Sequence, residues 1–323
     1  MTFNQILPDT PLLLTSGLTK DYSGRTVVDD VSITAYSREV YGFIGPNGAG
    51  KTTIIRMIIG LLFPTLGTIS LFGEIIGPGS VDVKRRIGVM GEQTYLLPDM
   101  TALEYLHYFS DIYHIPRLPQ RTWDLIDRLE LLPYINVIAR DFSHGMKKKL
   151  SFIRALLHCP DLIILDEPVS GLDPNGIIQV REIITEEKKR GAAIFLSSHI
   201  LSEVEIVADR IGIIDHGRLL LEDKIDAIRR RLNPDSLMVI ELMDEIPSLA
   251  HNLSQLQGVK KLTIGNNLLF IEIDGQKSTR KMIAKAVADQ KGVIVDVKTK
   301  DANLELMFST LIQNNKQAKR NSS

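Results

Sequence analysis

Apolar and polar positions along the 323-residue chain change period several times. From about residue 12 to residue 91 strand-like runs dominate. Residues 40–44 read as a short apolar strand, 51–62 as a helix and 68–72 as a second strand, and 73–79 is rich in turn formers. Between 101 and 159 the apolar positions recur at helical spacing, over 102–113, 121–131 and 145–159. Pro116, Pro119 and Pro133 punctuate the gaps. Strands and helices then alternate: 162–166 strand, 174–190 helix, 193–197 strand, 200–208 helix, 210–214 strand. The run 162–166 is apolar throughout, as in strands buried on both faces of a parallel sheet. The pattern predicts an α/β core over residues 12–232 that carries a helical insertion at about 93–159.

After a basic helix at 225–232 the pattern resets. Residues 237–242, 259–264, 268–273 and 293–297 read as strands, and 246–256, 279–290 and 303–312 as helices. Gly265-Asn266-Asn267 marks a hairpin between the middle strands. Strand–helix–strand–strand–helix–strand is the ferredoxin-like order. The expected boundary is near Asn233-Pro234, giving an accessory α+β domain at 234–312 and a polar, disordered tail at 313–323.

Composition narrows the function classes. Lys and Arg total 38 against 39 Asp and Glu, a net charge of -1, so no basic footprint points to nucleic acid. The one cysteine, Cys159, excludes an internal disulfide framework; within the run Ala155-Leu156-Leu157-His158-Cys159 it reads as a small buried hydrophobe. A membrane-spanning helix needs about 20 mainly apolar residues. The best candidate, 54–63, is short and interrupted by Arg56, and residues 1–10 lack the pattern of a signal peptide. The expectation is a chain soluble by itself and without direct membrane insertion, whose membrane role, if it has one, comes through another polypeptide.

The candidate chemistry begins at Gly45-Pro46-Asn47-Gly48-Ala49-Gly50-Lys51-Thr52, which fits G-x-x-x-x-G-K-[ST] between a strand and a helix. Glycines let such a loop curl so that backbone N–H groups face phosphate oxygens, and the helix N-terminus adds its positive end. Lys51 supplies a point charge for the β- and γ-phosphates, Thr52 a hydroxyl for Mg²⁺, and Thr53 continues the nucleotide-binding turn. A second metal contact and a means of activating water are both offered by Leu162-Ile163-Ile164-Leu165-Asp166-Glu167. A carboxylate ending a buried strand is costly without a task. Asp166 can hold the metal and Glu167 can orient and polarise the attacking water. MgATP is the expected ligand.

With Phe142-Ser143-His144-Gly145-Met146 upstream of that acidic strand, the residues resemble one family closely, the ATP-binding-cassette (ABC) ATPases with their P-loop fold. The segment looks like the family signature, a Ser-x-Gly version found in some exporters, with His144 where the first glycine is usual. Ser170-Gly171-Leu172-Asp173 resembles the loop that meets the partner subunit, His199 the switch histidine at the γ-phosphate, and Tyr22 the aromatic on which adenine stacks. Glu92 falls where the family most often has glutamine. It can face Mg²⁺ but cannot donate an amide hydrogen bond, and the neighbouring Gln93 is an alternative for that position. Residues 303–308 look like the closing motif of C-terminal domains on ATPases of ABC-2 exporters, a group that includes multidrug and antibiotic exporters.

The resemblance implies a head-to-tail pair, a homodimer or a pairing with another ABC ATPase. Ser143, Gly145 and Asp173 of one copy would complete the ATP site of the other. It further implies a separate transmembrane permease reached through the helical insertion, hence a peripheral position on the cytoplasmic face of the cell membrane. The competing expectation is a soluble ABC ATPase acting on a macromolecule such as the ribosome or DNA. Against it stand the single phosphate loop and the lack of a long coiled-coil interruption. The accessory domain carries no convergent catalytic set and reads as a packing or dimer-supporting module.

Overall fold

The computed structural model describes residues 11–232, 236–244, 246, 249–265, 267–274 and 276–300. The chain separates into two compact units that divide between Asp223 and Lys224. The first contains β1 (Pro11–Tyr22), β2 (Arg25–Tyr36), β3 (Val40–Ile44), α1 (Lys51–Ile58), β4 (Leu66–Leu71), β5 (Glu74–Ile75), α2 (Val81–Lys84) and β6 (Ile87–Met90). It continues with α3 (Ala102–Ile112), α4 (Gln120–Arg128), α5 (His144–Leu156), β7 (Leu162–Asp166), α6 (Pro174–Arg190), β8 (Ala193–Ser198), α7 (Leu201–Val207), β9 (Arg210–Asp215) and β10 (Arg218–Lys224).

Two sheets build this unit. One is antiparallel in the order β2-β1-β4-β5. The other runs β10-β9-β3-β8-β7-β6, and its strands from β9 to β6 are parallel. Every residue of β3, β7 and β8 is buried, which is why these segments are unbroken apolar runs rather than alternating ones. Phe195 in β8 lies between Tyr41 and Phe43 of β3, with centroids 5.4 and 5.3 Å away. The register sets Ile44 beside Ser198 and Asp166 beside Ser197, so the carboxyl ends of β3, β8 and β7 stand next to one another. In an open parallel sheet this edge is where ligands bind.

The helical insertion is present as α3, α4 and α5, and α3 starts at a capping box. Thr101 accepts from the Glu104 N–H at 3.2 Å while Glu104 accepts from the Thr101 N–H at 2.8 Å. Helix ends depart from the periodicity. The run 51–62 stops being helical at Ile58 because Gly60 takes φ 69 and closes a Schellman turn. The Gly60 N–H bonds Met57 O and the Leu61 N–H bonds Arg56 O. Glu130, at φ 60, closes α4 in the same manner, with Glu130 bonding Asp127 O and Leu131 bonding Ile126 O. Cys159 corrects its sequence reading: it lies past the end of α5, is exposed, and accepts a hydrogen bond from Arg121 at 3.1 Å.

Beside it, His158 stacks on Tyr113 at 3.8 Å and donates through Nε2 to Ile87 O at 3.1 Å. Burial, aided by Arg154 and Arg190, pushes its pKa down to about 4 against the opposing bond to Ile87 O. The folded state therefore stays unprotonated while the unfolded chain takes up a proton below about pH 6.5. Stability from this group is whole above that pH and is lost as pH falls towards 4, by an amount on the order of 3 kcal/mol. Thermal unfolding followed from pH 7 to 4.5 should show a smaller acid-induced drop for His158→Phe, which keeps the stack, than for the native chain.

The second unit holds α8 (Ile225–Leu232), β11 (Ser236–Leu242), α9 (Leu249–Ser254), β12 (Val259–Gly265), β13 (Leu268–Ile273), α10 (Lys277–Asp289) and β14 (Ile294–Lys300). Its antiparallel sheet has the order β12-β13-β11-β14, the ferredoxin-like arrangement. Met238, Ile240, Leu242, Leu269, Ile271 and Ile273 from the sheet pack with Leu249, Leu253, Ile283 and Val287 of α9 and α10. Helix α9 is shorter than the 246–256 expected. The helix expected at 303–312, the 303–308 motif and the tail lie outside the described residues.

Candidate functional site

The loop between β3 and α1 curls as its glycines allow, with Gly48 at φ 79 and Gly50 at φ 107. Gly50 is the N-cap of α1 and supplies no side chain there, and no acidic residue occupies the first turn. The N–H groups of that turn thus face outward beneath the loop with the helix dipole behind them, an arrangement that favours anions. Asn47, Gly48, Gly50, Lys51, Thr52 and Thr53 line one cleft together with Val27, Glu92, Asp166 and Glu167. Gly45 packs against the Ile214 carbonyl so closely that an added Cβ would lie 2.4 Å from it. Pro46 accepts the Ala49 N–H, and Ala49 O accepts the Gly217 N–H at 2.8 Å, tying the loop to the turn after β9.

Lys51 Nζ lies at the centre of this cleft. It donates to Gly45 O at 2.7 Å and stands 3.8 Å from Glu167 Oε1. Burial lowers its pKa, and Glu167, Asp166 and Glu92 pull it back up. Thr52 Oγ1 donates to Asp166 Oδ2 at 3.3 Å, and Asp166 Oδ1 accepts from Ser197 Oγ at 2.5 Å. One hydroxyl and two carboxylates, Thr52, Asp166 and Glu92, thus share a cleft with an anion-favouring helix terminus. Oxygen donors of this kind suit Mg²⁺, which takes few protein ligands and completes its shell with water and phosphate oxygens. Among the described residues no cluster of three or more His, Cys, Asp or Glu forms a metal site by itself.

Glu167 follows directly on β7 and is held on all sides. Its backbone sits at φ 52, a left-handed conformation that disfavours a side chain. Its N–H bonds Ser197 O at 3.2 Å and its Oε2 pairs with His199 Nδ1 at 2.9 Å. Its carbonyl accepts from Lys148 Nζ at 2.7 Å. Asp166, Glu167 and His199 are therefore brought together with Lys51 and Thr52, as their order along the chain suggested.

The remaining expected residues lie elsewhere. Ser143 is the N-cap of α5, its Oγ accepting the Met146 N–H at 3.2 Å, and neither it nor Gly145 lines the cleft of its own chain. Asp173 precedes α6 and lies 4.0 Å from Lys149 Nζ. Tyr22 ends β1 with its ring exposed, 5.3 Å from Lys20 Nζ; the residue that hairpin contributes to the cleft is Val27. Of the two alternatives at the β6 exit, Glu92 lines the cleft beside Lys51, whereas Gln93 accepts from Tyr95 and lines an adjoining groove with Arg56 and Arg154, to which Thr52, Glu92 and Asp166 also contribute. Lys148 was not singled out from the sequence. The available signal was its place in a buried stripe of α5 with Phe152 and Ala155, at spacings of four and three, where lysine is out of character.

A glycine-rich loop leading into a helix at the carboxyl edge of a parallel sheet, with Asp166 across from Lys51 and Thr52, defines a P-loop nucleoside triphosphatase. Comparison narrows the class. The ABC transporter family model matches residues 28–170. The bacitracin transport ATP-binding protein BcrA of Bacillus licheniformis is 41% identical over 68% of this chain and 72% of its own length. The uncharacterized ABC transporter ATP-binding protein YcbN of Bacillus subtilis is 36% identical over 95% of this chain and 98% of its own. A solved ATP-binding subunit of an ABC transporter superposes with a TM-score of 0.63 at 34% identity, covering 68% of this chain and 92% of that one. The chain belongs to the ATP-binding proteins of ABC transporters and is an ATPase. Among the described residues no helix is long and apolar enough to cross a membrane.

Proposed function

We propose that this chain is the MgATP-hydrolysing subunit of an ABC-2-type exporter, working as a head-to-tail homodimer beneath a separate transmembrane permease. The observation that carries the reading is the paired carboxylates Asp166 and Glu167 facing Lys51 and Thr52, with Glu167 oriented by His199. In this reading the N–H groups of residues 48–53 and Lys51 bind the phosphates. Thr52, Asp166 and Glu92 would hold Mg²⁺, which neutralises phosphate charge when bound. Glu167 Oε2 accepts the proton of the attacking water, and His199 keeps that carboxylate aimed and reaches the γ-phosphate. Ser143 and Gly145 lie away from their own cleft, which supports their serving the cleft of a second copy, with Asp173 beside them. Tyr22, exposed at the end of β1, offers its ring to the adenine.

Export through a permease is favoured over a soluble role by the transport function named for the Bacillus licheniformis relative, and by the Ser143-His144-Gly145-Met146 form of the signature. The site of action is then the cytoplasmic face of the cell membrane. Affinity purification of the tagged chain from detergent-solubilised membranes should recover a polytopic membrane protein in amounts comparable to the chain. Recovery with ribosomes or DNA and never with a membrane protein contradicts the transporter reading.

The second unit is assigned a supporting role in dimer packing. Its apolar core lies between the sheet and α9 and α10.

A further inference from the structure

Two observations lie outside the nucleotide contacts described above. Lys148 is 2% exposed, on the inward face of α5, an unusual position for an ammonium group. Its Nζ donates to the backbone carbonyl of Glu167 at 2.7 Å. Glu167, in turn, holds a left-handed backbone conformation at φ 52 that is strained for a residue with a Cβ, so the surroundings must impose it. The N–H side of Glu167 is fixed by Ser197 of β8, through its carbonyl at 3.2 Å and its Oγ at 3.3 Å. The carbonyl side is fixed by the Lys148 ammonium at 2.7 Å, with the Ser170 N–H as a longer second donor at 3.3 Å.

We infer that Lys148 is a positioning residue for hydrolysis: it holds the Glu167 backbone in its strained conformation and so links the helix that begins at Ser143 to the water-activating carboxylate. The inference rests on the proposed role of Glu167. Its physical basis is the charge-assisted hydrogen bond, stronger than a neutral one and fixed in length by a buried side chain with little room to move. Burial lowers its pKa, and the acidic groups Glu167, Glu92 and Asp166 oppose that shift. Helix α5 touches the same segment a second time, where His144 lies against Gly171 so closely that a Cβ there would be 2.8 Å from the ring. Because Ser143, His144 and Lys148 sit on one rigid helix, a displacement of its N-terminus reaches Glu167 directly. Lys148 is not among the residues that line the cleft.

The test compares full-length Lys148→Met and Lys148→Arg with the native protein, measuring turnover at saturating MgATP, nucleotide affinity and thermal unfolding. Lys148→Met replaces the lysine stem out to Cε with an unbranched apolar chain and removes the donor. Turnover should fall at least tenfold while ATP affinity stays within about threefold, and Lys148→Arg, which keeps a charged donor, should recover a substantial part of the loss. Turnover in Lys148→Met within twofold of native overturns the inference. So does a parallel fall in turnover and affinity, or equal impairment in the two variants. If Lys148→Met does not fold, Lys148→Gln decides the matter, because its amide is one bond shorter and lengthens the contact. Reduced turnover at unchanged affinity supports the link, and native turnover overturns it. The native protein in the same assay separates the two readings, since a native chain that hydrolyses no MgATP contradicts the proposed function itself.

Discussion

Glu167→Gln should bind MgATP with near-native affinity and turn it over two to four orders of magnitude more slowly, the range expected when a general base is removed. The substitution is close to isosteric. The amide can still meet His199 and the backbone bonds to Ser197 and Lys148 are untouched, so the loop geometry survives. What disappears is the carboxylate oxygen able to take a proton. The phosphate contacts proposed for residues 48–53 do not involve that oxygen, so binding and turnover should separate. A single-turnover assay with labelled ATP reads the chemical step, and equilibrium binding of a fluorescent ATP analogue reads affinity. Near-native turnover in the variant removes Glu167 from the role of base.

Lys51→Ala should show the opposite profile, a loss of nucleotide affinity of at least ten- to a hundredfold. Hydrogen bonds from a charged donor contribute about 1.5–3 kcal/mol each, and a buried ammonium facing triphosphate oxygens makes more than one. The pull of Glu167, Asp166 and Glu92 on this group shows how much negative charge the cleft already holds. Without Lys51 a polyanion would meet those carboxylates with only backbone dipoles and a metal to offset them. Titration of MgATP by calorimetry at fixed salt measures the effect. Affinity within threefold of native contradicts the phosphate assignment.

Much of the architecture was legible because burial and period coincide. The runs 40–44, 162–166 and 193–197 are apolar throughout since the central sheet is covered on both faces, and they matched β3, β7 and β8 with at most one residue of difference. Helix ends were harder. Nothing in a 3.6-residue period says that Gly60 or Glu130 will turn left-handed, and those turns truncate α1 and α4. The long strands β1 and β2 were not resolved individually, because their register shifts break the strict alternation that would have marked them. Cys159 was misread for a related reason: its apolar neighbours belong to α5, but the chain leaves the helix before reaching it.

The candidate site was legible as a set of motifs and not as a geometry. Lys51, Thr52, Asp166, Glu167 and His199 are scattered along the chain, and the parallel register of β3, β8 and β7 collects them at one edge. Spacing alone left Glu92 and Gln93 as alternatives; in the structure Glu92 lines both the cleft and the groove that adjoins it, and Gln93 lines the groove. Lys148 was hidden because a lysine within Lys147-Lys148-Lys149 looks like a solvated run. Only the rotation of α5 shows that Lys148 points inward while Lys147 reaches Arg140 O at the surface.

The central claim is that ATP is held between two copies of this chain and hydrolysed there. Size-exclusion chromatography with light scattering on Glu167→Gln, with and without MgATP, tests it most directly. The account predicts a monomer mass without nucleotide and twice that mass with MgATP, the doubling being abolished when Ser143→Arg is added to block the signature. A variant that binds MgATP fully yet keeps the monomer mass at every protein concentration would contradict it.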